Sequence, residues 1–129
     1  MRNRQQSILA AAFFVTGTVA GIPYWQIPYA KAGLPDSIFG LGLLIAFFAS
    51  AIIRYALHIP LVRVCLTIGI AIPTVVMLRV IVEVARDPTS HNLWPLEIII
   101  AAAIGLGVSF LGALLGTGAS FLVRRCLDR

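Results

Sequence analysis

The chain has 129 residues, 60% of them hydrophobic and only 12% charged, with a mean hydropathy of +0.97 and a formal net charge of +5. Soluble domains are nearer half apolar and a quarter charged, so this composition argues against a water-soluble fold, and against disorder, collagen and a disulfide-rich secreted scaffold. A membrane-crossing helix takes roughly 20 apolar residues, which leaves room for four crossings and nearly exhausts the chain at six.

Apolar runs and their breakers predict an all-α, polytopic membrane protein, with four transmembrane helices in one compact bundle over residues 1–129. The first helix is expected over 7–22, closed by Pro23. Arg2 and Arg4 ahead of an apolar stretch also fit a secretory signal peptide, but Gly17 and Gly21 suit a helix packing closely on a neighbour. The second is expected over 37–59, closed by Pro60. The third covers 61–85, with Pro73 inside it as a kink. The fourth covers 96–123 and runs into Arg124 and Arg125. None has a clean polar face at the helical period, as expected of helices surrounded by lipid or by one another. No run alternates as barrel strands must.

Basic residues orient the chain. With the N-terminus inside, Arg2, Arg4, Arg54, Arg63, Arg124, Arg125 and Arg129 lie on the cytoplasmic side, seven against three for Lys31, Arg79 and Arg86. The expectation is a multi-pass inner-membrane protein with both termini cytoplasmic. The positive charge then meets anionic headgroups, and no nucleic-acid partner is expected. Arg54 and His58 read as part of this inner anchor. Cys65 and Cys126 fall on the reducing side without neighbouring histidines, so no metal or cofactor is expected.

Polar chemistry gathers on the outer side. The first outer loop repeats Ile-Pro-Tyr, at Ile22 and Ile27, and its prolines predict a rigid, non-helical strip carrying Tyr24, Trp25 and Tyr29. It reads as an interfacial aromatic belt or as a lid over a site. In the second outer loop, Asp87-Pro88-Thr89-Ser90 is turn chemistry, while Trp94-Pro95 and Glu97 suit the first turn of a helix. A turn does not require His91, which can titrate near neutral pH. Arg79 and Glu83, four apart near the outer end of the third helix, either snorkel to the headgroups or point inward. If inward, they form the floor of a candidate ligand site with Asp87, His91, Trp94 and Glu97.

The fourth helix carries Ala101, Gly105, Ser109, Gly112, Gly116 and Ser120 on one face, a groove that lets another backbone approach closely. Its partner helix belongs either to this chain, with Gly17 and Gly21 as a candidate face, or to another.

Three functions follow. The first is a non-catalytic subunit or assembly factor of a larger membrane complex, which needs no ionisable residue at mid-membrane. The second is a small homo-oligomeric transporter or channel, to which coupled pumps usually bring such a residue. The third is a protein or enzyme handling a lipid or quinone at the outer interface. The expected partners are membrane lipids and either a membrane protein or a second copy of the chain.

Overall fold

The apolar runs become helices, though with different bounds. The computed structural model describes residues 2–28, 31 and 36–127, and every regular element among them is helical. Tyr29, Asp128 and Arg129 lie outside the described residues.

Helix α1 spans Arg2–Gln26 and runs through Pro23 instead of stopping there. Proline has a helix-compatible φ and removes a single N–H, and the last turn tolerates that loss. Tyr24 and Trp25 are therefore helical and not on an extended strip. A 3-10 turn at Asp36–Ile38 precedes α2, Leu41–Leu57, which starts four residues later than expected by the 37–59 reading. It ends at His58, whose φ of 51° is left-handed, followed by Pro60.

The third run divides into α3, Leu61–Gly69, and α4, Ala71–Arg86. Pro73 has no N–H to offer the Gly69 carbonyl, so the break falls one turn ahead of the proline and not at it. Helix α5 spans Trp94–Leu127, longer at both ends than the expected 96–123. Pro95 and Glu97 occupy its first turn and Arg124 and Arg125 its last, each favourable to the helix dipole. Three helices, α1, the α3–α4 rod and α5, are long and apolar enough to cross a membrane; α2 is apolar but has 17 residues.

Close contacts fix the helix directions. A Cβ on Gly112 would stand 2.2 Å from the Phe47 carbonyl oxygen, and one on Gly116 would stand 2.3 Å from that of Ala51. These positions ascend together, so α2 and α5 run the same way. Helix α1 opposes them, with Ala20 against Gly42, where a Cβ would meet the Ala20 Cβ at 2.4 Å. One apolar cluster joins Leu9, Ala46, Ile53, Val64, Ile68 and Ala113; the other joins Tyr24, Leu43, Ile72, Val76, Val80 and Ala101. The small residues Thr16, Ser50 and Ser109 are fully buried between helices. Among helices already in an apolar solvent, such close packing replaces the hydrophobic effect as the source of association.

Candidate functional site

The cluster expected on the outer side assembles from four elements. Arg79 on α4 is only 2% exposed, so it points inward and does not snorkel. Its Nε donates to Glu83 Oε1 at 2.9 Å, although Arg before Glu is the weaker order for an i,i+4 pair. Its Nη1 donates to the Tyr24 carbonyl and its Nη2 to the Ile27 carbonyl at 2.6 Å. The guanidinium also lies 4.6 Å from the centroid of the Tyr24 ring. Helix α1 ends here, where the last carbonyls lack the usual i+4 donor and the Tyr24 carbonyl has locally only the Ile27 N–H at 3.4 Å, and a cation is favoured at that negative pole. Arg79 thus caps α1 from another helix.

Glu83 carries the connection onward. Its Oε2 meets His91 Nε2, and His91 Nδ1 lies 2.8 Å from Glu97 Oε2 and 3.1 Å from Oε1. His91 is 3% exposed and its φ of 54° is left-handed, a conformation costing a non-glycine residue roughly 1–2 kcal/mol. That geometry turns the chain so that the His91 carbonyl accepts the Trp94 N–H at 3.0 Å and α5 begins. The result is a continuous polar chain from the end of α1 through α4 and the loop to the start of α5.

The other candidates stand apart. Asp87 is exposed and faces Thr89, accepting from its hydroxyl at 2.7 Å and its backbone N–H at 3.0 Å. The Thr89 hydroxyl first, then that N–H, holds the Asp87 carboxyl below its ordinary value. Trp25 and Trp94 are 46% and 44% exposed. Among the described residues, no group of three or more His, Cys, Asp or Glu is placed to hold a metal ion.

The small-residue face of α5 meets its own chain. Gly105 lies under the Gly69 carbonyl, the one left without a donor by Pro73; a Cβ on Gly105 would approach it to 2.3 Å. Gly112 and Gly116 lie against α2, and Ala101 and Ser109 are fully buried. Ser120 donates to the Thr117 carbonyl in its own helix at 2.8 Å. Gly17 and Gly21 do not face this surface but Val75 of α4, at 3.7 and 3.3 Å from an added Cβ.

Two features had little sequence signal. At the opposite end of the bundle, the Arg54 Nε donates to Thr117 Oγ1 at 3.0 Å and its Nη1 to the Ile59 carbonyl at 3.2 Å, tying α2 to α5. An open apolar groove of about 470 Å³ also runs between α1 and α4, lined by Phe13, Phe14, Gly21, Trp25, Val75 and Leu78 among others. Neither protein-family models, curated proteins nor solved structures match the chain.

Proposed function

We propose that this chain is a four-span inner-membrane protein with both termini cytoplasmic, serving as a non-catalytic subunit or assembly factor of a larger membrane complex. The carrying observation is the direction of the Arg79 N–H groups. They are aimed at the Tyr24 and Ile27 carbonyls and at Glu83, so the outer cluster acts as a latch that closes one end of the bundle. Polar groups bonded to one another in this way stabilise a scaffold and leave lipid-facing surfaces for partners. Helix α2, at 17 residues, is the fourth span, at the short end of the roughly 17–25 that cross a bilayer.

Native mass spectrometry of the protein drawn from its own membrane in mild detergent tests this reading. A stoichiometric second polypeptide is expected. A lone chain, together with ion or solute flux from purified protein in liposomes, would replace this reading with the transporter.

The α1–α4 groove favours a second reading, in which the protein holds a lipid or quinone tail. From Phe13 to Trp25 the groove follows about 18 Å of helix, close to one leaflet of a hydrocarbon core about 30 Å thick. The same spectra would then show a retained lipid or quinone and no second polypeptide.

A further inference from the structure

His91 presents both ring nitrogens to carboxylates: Nε2 to Glu83 and Nδ1 to Glu97 at 2.8 Å. A neutral imidazole has one N–H and one lone pair, so in this position its lone pair faces a carboxylate oxygen. The imidazolium alone donates at both nitrogens. Charge balance points the same way: among the described residues Arg79 is the cation bonded within this set, beside two carboxylates, and a second proton on His91 makes the set neutral. Neutrality matters where the side chains of both His91 and Arg79 are buried.

Among the described residues, the charged and titratable groups bonded to the ring or coupled to it come from three helices and the loop. Helix α4 supplies Glu83 and, through it, Arg79; α5 supplies Glu97; α1 supplies Tyr24, which lies in the field of all three. Within the loop, Asp87 is turned away toward Thr89. His91 also has the left-handed backbone, a conformation that persists where the surrounding structure over-determines it, and its two side-chain bonds contribute to that.

We infer that the latch is proton-dependent: His91 sits between Glu83 and Glu97 as an imidazolium, and loss of that proton releases the 87–93 loop from α4 and α5. The inference rests on the reading of the cluster as a latch. Deprotonation leaves one carboxylate facing a lone pair, and the strained turn at His91 loses a bond that opposes its relaxation. The outer end of the bundle then loosens as the pH outside the cell rises.

The test uses full-length protein in lipid nanodiscs carrying His58→Asn, since asparagine tolerates the left-handed φ of position 58 and leaves one histidine signal. Nitrogen-15 spectra of the ring at about pH 7.5, where a free imidazole is mostly singly protonated, should show protons on both nitrogens. Raising the pH should remove one proton and speed amide exchange in the 87–93 loop beyond the intrinsic increase. Glu97→Gln should lower the doubly protonated fraction several-fold. A singly protonated ring in the parent at that pH, or an unchanged fraction in Glu97→Gln, overturns the inference. Arg79→Met separates the two readings: if it leaves stability intact, the latch itself fails. If it destabilises while the His91 ring is singly protonated, only the proton dependence fails.

Discussion

Arg79 joins α1 to α4 through one planar group, and its removal takes a charged donor from the Tyr24 and Ile27 carbonyls and from Glu83 at once. Breaking a buried ion pair by deleting one partner typically costs about 3–5 kcal/mol. Arg79→Met is therefore expected to lose about 3 kcal/mol in denaturant unfolding followed by circular dichroism in micelles. Arg79→Lys should fall between, because an ammonium lacks the fork that reaches Glu83 and both carbonyls at once. Asp87 gives a second expectation. Its carboxyl is held below its ordinary value of 3.8 by Thr89, so its contribution is fully present above the unfolded value and is lost as pH falls through the lowered folded one. Thr89→Ala should bring the Asp87 titration, followed by carbon-13 NMR, back toward 3.8. An unmoved titration would assign the shift elsewhere. The sequence grouped Glu83, Asp87, His91 and Glu97 by proximity and residue type; Asp87 departs from that group because the Asp-Pro-Thr-Ser turn occupies its carboxylate. The carbonyl acceptors of Arg79 were invisible, because a backbone carbonyl at the end of α1 has no residue-type signature.

At the scale of helices, glycines on one helix have opposite roles depending on the face they occupy. Added Cβ atoms at Gly105, Gly112 and Gly116 would fall 2.2–2.3 Å from backbone oxygens of Gly69, Phe47 and Ala51, whereas Gly107 and Gly118 have nothing within 4 Å. Backbone cannot yield as a side-chain tip does, so the Gly112→Ala and Gly116→Ala variants should each lose about 1–3 kcal/mol by overpacking. Gly118→Ala should be neutral or stabilising by up to about 1 kcal/mol, since alanine is the better helix former. Steric-trap or denaturant unfolding in bicelles measures both, and equal effects at positions 112 and 118 would show that α5 does not pack on α2 as described. The four-residue spacing made this face legible in the sequence, but its partner was not. Which neighbour a face meets depends on the rotation and direction of whole helices, and these follow from contacts distant in sequence. Pro73 illustrates the same limit. A kink was legible, but its displacement to Gly69–Ile70 depends on Gly105 offering room for the carbonyl that the proline leaves without a donor.

For the whole molecule, the two ends of the helices carry unlike chemistry, and the proposed orientation rests on that difference. Arg4, Arg54, Arg63, Arg124 and Arg125 gather toward one end, while the acids of the latch, Glu83 and Glu97, lie toward the other with Arg79. Each basic residue near an anionic leaflet is worth about 1 kcal/mol, so a surplus of seven over three favours the basic end inside by several kcal/mol. The helix directions agree internally, since α2 and α5 descend together from the latch toward Arg54 and Arg125. Cys126 is exposed at the basic end, and Cys65 is half-buried with its thiol toward the Leu106 carbonyl at 3.4 Å. A membrane-impermeant thiol reagent applied to intact cells is thus expected to leave Cys126 unlabelled until the membrane is opened. A cysteine placed by Lys31→Cys, at an exposed position in the loop after α1, should label in intact cells. The reverse pattern would invert the bundle and put the latch in the cytoplasm, where the pH varies little and a proton-dependent loop would have nothing to sense. Labelling of both sites in intact cells would instead mean that the chain inserts in two orientations, an outcome opposed by the charge asymmetry of its two ends.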